Sequence, residues 1–227
     1  MKKHIKVILP LIVFTFLISS SLVAETVAVV LKVKGNIQLY RSGKVSEQTV
    51  KRGFRLQDGD KLVTGPKAFA AVRFTDDASL LRIRANSTCT IKNKQENNEL
   101  IKNVYVEVGT IFARVTKQRT KFEISTPTSV ASVKGTEWIV EQVLDGMTLW
   151  YGKVGLVDIS NDAGAALLRP GETVEVLDAN TAPVARKSKP GEGEWEDLGI
   201  GTEDYEFEFE NDQGERKLLR FQIKLEE

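Results

Sequence analysis

Val104-Tyr105-Val106-Glu107-Val108-Gly109-Thr110-Ile111-Phe112-Ala113-Arg114-Val115 is the stretch whose reading decides the fold. Val104, Val106 and Val108 recur at every second residue before a glycine, and Ile111, Ala113 and Val115 do so after it. Such alternation of β-branched residues marks strands with one buried face, and glycine permits the bend between them. The unit repeats outward in both directions. Val27, Val29, Leu31 and Val33 lead to Gly35 and then Ile37 and Leu39, with Lys32 and Lys34 on the opposite parity. Leu149 and Tyr151 lead to Gly152, then Val154, Leu156 and Asp158. Leu167-Leu168-Arg169-Pro170-Gly171 leads to Thr173-Val174-Glu175-Val176. Outside the N-terminal stretch, no apolar stripe of period 3.6 exceeds two turns. The chain is therefore expected to be all-β, a solenoid-like stack or rolled sandwich of short strands.

The character changes near Asn180. Thr181 to Glu196 is rich in Pro, Gly, Lys and Glu, and a linker is expected over 181–200. From Arg186 onward, 13 acidic and 7 basic side chains give this segment a charge of −6. Tyr205, Phe207 and Phe209 alternate with glutamates. Asn211-Asp212-Gln213-Gly214 can turn, and Leu219, Phe221, Ile223 and Leu225 alternate back. A C-terminal β-hairpin is expected over 201–227. Its two apolar faces coincide only when paired residue numbers have an even sum. A three-residue loop Asp212–Gly214 satisfies this and pairs Tyr205 with Phe221, Phe207 with Leu219, Glu206 with Arg220 and Glu210 with Arg216.

At the other end, Lys2, Lys3 and His4 precede the apolar stretch Val7 to Ile18 and then Ser19-Ser20-Ser21. This is the pattern of a cleaved export signal over 1–24, leaving 25–180 as the main β domain. A retained membrane anchor is the alternative, because Val7 to Ala24 is about the minimum span of a bilayer. The chain has 227 residues, 41% hydrophobic and 28% charged, with a formal net charge of +1. No global field points to nucleic acid or an anionic membrane surface.

Little in the sequence supports catalysis or metal binding. The single histidine, His4, lies in the expected signal, so a mature chain has no imidazole to serve as base or metal ligand. No Ser-x-x-Lys occurs. Asp58/Asp60 and Asp76/Asp77 sit among Gly, Lys and Thr, where turn chemistry explains them better than acid–base work or Ca²⁺ binding. The single Cys89 reads as a small buried hydrophobe. No enzyme activity, cofactor or metal is expected.

One block carries more specific information: Ser125-Thr126-Pro127-Thr128-Ser129-Val130-Ala131-Ser132-Val133-Lys134-Gly135-Thr136-Glu137-Trp138-Ile139-Val140. Pro127 fixes the backbone, a small and β-branched run follows, and Gly135 permits a bend before a second apolar run. Val130, Val133 and Ile139 are expected to be buried. Further short matches flank this block: Gly35; Leu56 with Asp58-Gly59-Asp60 and Thr64-Gly65; Phe74-Thr75-Asp76-Asp77-Ala78-Ser79; Val108-Gly109; and Gly152-Lys153-Val154. In order and spacing they resemble the FecR domain, a periplasmic all-β module, from about Val30 to Asp178. Lys134 stands where the family has Arg, keeping the charge but losing a bidentate fork. Ala78 replaces a usual Gly.

The resemblance implies a solenoid-like stack whose edges and loops engage another protein. Full-length sensors of this family join a cytoplasmic anti-sigma region and a membrane helix to a periplasmic part that responds to an outer-membrane transporter. Only Met1 to Lys6 precede the apolar stretch here, so relay across the membrane is not expected. The expected function is an exported, periplasmic or secreted, binding or scaffold protein that engages another envelope protein. A glycan- or peptidoglycan-binding module using Trp138, Trp150 and Trp195 is an alternative, as is a membrane-anchored signalling component if the N-terminal segment is retained. The candidate interaction residues are Lys134, Gly135, Thr136 and Trp138 of the block, and Lys117, Arg119 and Lys121, which share one parity. Such basic stripes, Arg82 and Arg84 included, otherwise mark the solvated face of an edge strand.

Overall fold

At Gly35, Gly109 and Gly171, three of the glycine bends that sequence alternation marks, the chain turns through a positive φ between one run of strand and the next. The computed structural model describes residues 26–41, 44–45, 49–96, 99–116, 121–133, 136–143, 146–195, 202–210 and 216–224. The expected export signal lies outside them. The elements are β1 (Thr26–Lys34), β2 (Ile37–Arg41), β3 (Lys44–Val45), β4 (Arg55–Gln57), β5 (Lys61–Thr64), β6 (Phe69–Phe74), β7 (Leu80–Ile83), β8 (Thr88–Glu96) and β9 (Glu99–Arg114). They continue as β10 (Lys121–Ser125), β11 (Val130–Val133), β12 (Glu137–Gln142), β13 (Thr148–Val154), β14 (Val157–Asn161), β15 (Gly164–Leu168), β16 (Glu172–Val176), β17 (Val184–Lys187), β18 (Thr202–Glu210) and β19 (Arg216–Lys224).

The first 17 strands join in one hydrogen-bonded assembly that divides into two layers. The first layer runs β4-β1-β6-β7-β9-β12-β13-β16-β17. The second runs β3-β2-β5-β8-β9-β10-β11-β14-β15. Strand β9 belongs to both: residues 99–108 pair in the second layer with β8, and residues 109–114 in the first with β7 and β12.

Gly109 makes the passage, with φ +105. Val104 and Val106 are buried before it and Ile111 and Ala113 after it, so the inward parity changes from even to odd as the chain changes layer. The same switch occurs between β13 and β14, where Trp150 is buried before the bend and Val157 and Ile159 after it. Here the structure corrects the expected bend. Gly152 stays inside β13, packed against the Arg169 carbonyl, and the left-handed residue is Gly155 (φ +80). Val154 and Leu156, expected to alternate with the core, are exposed at this crossing.

The all-β expectation holds, in the form of a rolled two-layer stack. Its core lies between the layers and takes side chains from both, among them Leu39, Leu62, Ile91 and Ile124 of the second layer and Val72, Ile111, Trp138 and Trp150 of the first. Cys89 is fully buried in that core, and burial pushes its thiol up to about 12.

Two other expectations meet different outcomes. The segment read as a linker carries β17, which pairs with β16, and the described residues continue to Trp195. Composition concealed a four-residue strand whose partner is already in place. The C-terminal hairpin forms as a separate two-stranded sheet in the expected register, with Tyr205 opposite Phe221, Glu206 opposite Arg220, Phe207 opposite Leu219 and Glu210 opposite Arg216. The turn itself lies outside the described residues.

Candidate interaction site

The Thr-Pro block builds scaffold. Thr126 Oγ1 shares hydrogen bonds with Thr148 Oγ1 (3.0 Å) and Ser129 Oγ (3.3 Å), and Thr128 Oγ1 with Thr148 Oγ1 (2.5 Å). Thr148 donates to Gln142 Oε1, and Trp150 Nε1 donates to Ser129 Oγ at 3.0 Å. All of these side chains are buried, so the hydroxyls satisfy one another where water cannot. Pro127 holds the turn that brings Thr126 and Thr128 to face Thr148 of β13. Val133 and Ile139 are buried as expected, but Val130 is only half-buried.

Of the candidate interaction residues, Thr136 and Trp138 are buried. Trp138 packs on Trp150 with ring centroids 5.3 Å apart, so neither indole can serve as a sugar platform in this structure. Lys121 is exposed and pairs with Glu123 at 2.8 Å. Lys117, Arg119, Lys134 and Gly135 lie outside the described residues.

The aspartate motifs are likewise architectural. Arg41 grips buried Asp60 through two hydrogen bonds (2.8 and 2.6 Å), and the Gln57 N–H donates to the same carboxylate at 2.8 Å. Asp58 accepts the Asn93 N–H at 2.6 Å. Lys102, buried beside the Phe74 and Phe122 rings, pairs with Asp77 and with Asp76 at 2.9 Å. Burial pushes the Lys102 ammonium below its ordinary value, and Asp76 opposes that shift. Among the described residues, no three His, Cys, Asp or Glu side chains cluster as a metal site.

Sequence reasoning missed the outer face of the first layer. Successive strand registers set Ala71, Arg82, Phe112, Ile139, Tyr151, Thr173 and Arg186 in one cross-strand row. Strand β7 is interior, not an edge, and Arg82 lies over the Phe112 ring at 5.1 Å. Residues 188–195 form a strap along this row. Ser188 and Thr173 share a hydrogen bond of 2.8 Å, and Thr173 Oγ1 donates to Glu192 Oε2 at 3.2 Å. Glu192 also accepts both Arg186 terminal nitrogens at 2.8 Å and the Lys189 N–H at 2.8 Å. Gly193 lies against the Tyr151 ring with no room for a side chain. Trp195 packs on Phe112 at 5.5 Å, and Arg84 stacks on Trp195 at 4.4 Å while donating to the Glu194 carbonyl at 2.8 Å.

Between strap and sheet is a cleft of about 380 Å³, lined by Arg84, Thr110, Glu141 and Tyr151 together with strap residues 190–194. The Tyr151 hydroxyl donates to Glu141 Oε2 at 2.9 Å. Burial, then this bond, raises the phenol well above its ordinary value, so it remains a neutral donor. The Arg186 guanidinium holds Glu192 at about 2, below the usual carboxylate range. These groups fasten the strap.

Two strands close the C-terminal end of the stack. Strand β17 pairs with β16 and β15 with β14, and neither pairs with a further strand among the described residues. Strand β17 carries Arg186 and Lys187, whereas β15 reads Gly164-Ala165-Ala166-Leu167-Leu168 with no charge at all.

Residues 60–154 match the FecR family, described as FecR protein. The match takes in Phe74–Ser79, the Thr-Pro block and Gly109, and is narrower than the resemblance expected from Val30 to Asp178. No curated protein matches the chain. Two crystal structures of a candidate anti-sigma factor from Parabacteroides distasonis, at 1.65 and 2.50 Å resolution, are each similar at 17% identity, with TM-scores of 0.47 and 0.48. Each similarity covers 56% of this chain and 59% of that one.

Proposed function

We propose, from the match of residues 60–154 to the FecR family, that the chain is an exported binding or scaffold module that engages another protein of the cell envelope. The observation that carries this reading is β15. Edge strands are ordinarily blunted by charge or proline, because their open N–H and C=O groups will pair with any strand that reaches them. Strand β15 has neither device, and Ala165 is exposed. An extended segment of a partner can add there as a further strand, with main-chain hydrogen bonds supplying affinity and alternate side chains supplying selectivity. Export rests on the Lys2-Lys3-His4 head and the apolar run after it.

Crosslinking in intact cells, followed by identification of what copurifies, tests the reading. Wild type should capture an envelope protein. Ala165→Lys combined with Leu167→Lys should lose it without a change in melting. Capture by the double variant as efficient as by wild type would overturn the edge as the binding site. N-terminal sequencing that found Met1 to Val23 still attached would overturn export as a free protein.

A further inference from the structure

The row across the outer face of the first layer is buried from Ala71 to Thr173, yet the strap accounts for only part of it. Strap residues meet Thr173, then Tyr151, then Phe112, advancing strand by strand from β16 to β9, and Trp195 ends beneath Arg84 at the end of β7. Farther along the same face, on β6 and β7, Ala71 is 0% exposed, Phe69 2%, Leu80 7% and Arg82 7%. The methyl of Ala71 is flanked by Lys32 and Arg82 across the strands and by Phe69 and Arg73 along its own, but the phenyl ring of Phe69 and the side chain of Leu80 on an outer face need something laid over them to be this buried. Phe69, Ala71 and Leu80 belong to neither the core between the layers nor the cluster of Phe112, Ile139 and Tyr151.

We infer that this second half of the face, centred on Ala71 and Leu80, is the docking surface of the chain's own C-terminal hairpin, β18–β19. The connection can reach. Six residues, 196–201, separate Trp195 from β18 and can span roughly 20 Å, while adjacent strands lie about 4.8 Å apart, so β6 is well within range. The chemistry fits as well. The hairpin register sets Tyr205, Phe207, Phe221 and Leu219 at positions of one parity, the composition needed against Phe69, Ala71 and Leu80. Residues 194–210 contain acidic side chains and no basic one, and the outer face is flanked by Arg73, Arg82, Arg84 and Arg114. A lone hairpin is marginal in water, and docking supplies the third partner it needs. The hairpin is then a cap on one face of the stack, distinct from the β15 edge, and its release would uncover an apolar, arginine-rimmed surface.

The test uses the full chain carrying Ala71→Cys, with buried Cys89 as an internal control, and reads the rate of maleimide labelling. With the hairpin seated, the new thiol should label as slowly as Cys89, at a rate independent of protein concentration. Adding Phe207→Glu and Phe221→Glu should accelerate labelling at position 71 at least tenfold and leave Cys89 unreactive. If Cys89 becomes reactive, the milder Phe221→Ala replaces the pair. Fast labelling in the otherwise wild-type chain, or equal protection with and without the hairpin substitutions, would overturn the inference. Protection that is lost on dilution would assign the surface to a second copy and overturn it too. None of these results depends on capture of a partner at β15.

Discussion

The two faces of the first layer follow different rules. The inner face takes Trp138, Val140, Trp150 and Val174 at alternate positions and closes on the second layer. The outer face takes Phe112, Ile139, Tyr151 and Thr173 from the intervening positions of those or neighbouring strands, and is buried under a strap of Pro190, Gly191, Glu192 and Gly193. Hydrophobic interdigitation holds the first. The second is held by an Arg186–Glu192 fork, a stacked Arg84–Trp195 pair and a few hydroxyls. The inner face should therefore govern global stability, and the outer face should answer to charge and pH. Four measurements press on that division.

Trp150→Ala should have the largest effect. The indole is fully buried, packs on Trp138, and donates to Ser129 within the hydroxyl network. Its loss leaves a large cavity and an orphaned hydroxyl, and should cost about 3–5 kcal/mol in denaturant unfolding. A loss comparable to that of an outer-face variant would erase the distinction between the faces.

Gly109→Val comes next, because this residue is where β9 passes from one layer to the other. Its φ of +105 is unfavourable for any side chain, and Ser87 already occupies the place a Cβ would take. Backbone strain and overpacking together should cost roughly 2–4 kcal/mol. A melting temperature equal to wild type would mean that the crossing is not fixed by this glycine.

How much of this was legible in the sequence depends on the face. Alternation reports one buried face, and it identified the strand–glycine–strand passage at Gly109, the inward residues of β9 on either side of it, and the hairpin register, but it did not show that Trp138 and Val140 face inward while Ile139 faces out. It fails where both faces are covered, because such strands read as continuous apolar runs. Trp138-Ile139-Val140 and Leu149-Trp150-Tyr151 are runs of that kind, and they were the available signal for the strap. The strap itself was illegible, since Pro, Gly and Glu are equally the composition of a solvated linker. Lys134, Gly135 and Thr136 stood out by motif, yet the described part of that block is held by buried hydroxyls. The acidic turns could be read as turns. That Asp60 and Asp77 would face Arg41 and Lys102 depends on contacts distant in sequence, which parity does not encode.

On the outer face, Trp195→Ala should cost about 1–2 kcal/mol, the sum of a tilted ring contact with Phe112 and a stacked guanidinium. The change should speed proteolysis within residues 188–195 while the inner core stays protected. Arg84→Ala should reproduce part of the effect and not add fully to it, because both substitutions remove the same stack. Strict additivity would show that the strap is not anchored at this pair.

The smallest effect concerns acid. Hydrogen bonds from Arg186, and then from the Lys189 backbone, hold Glu192 at about 2, below the ordinary carboxylate value of 4.5. A carboxyl group whose pKa is depressed on folding contributes stability above its unfolded value and loses it as pH falls toward the folded value. The attachment of the strap should accordingly be complete above about pH 4.5 and weaken progressively toward pH 2. Trp195 fluorescence is the natural reporter, compared with a Trp195→Phe variant to subtract the two core indoles. Glu192→Gln should remove this acid dependence and loosen the strap modestly at neutral pH, since an amide cannot complete the charged fork with Arg186. Salt should weaken wild type toward that variant, because the pair is partly open to solvent. A wild-type acid transition unchanged by Glu192→Gln would place the sensitivity outside the Arg186–Glu192 fork.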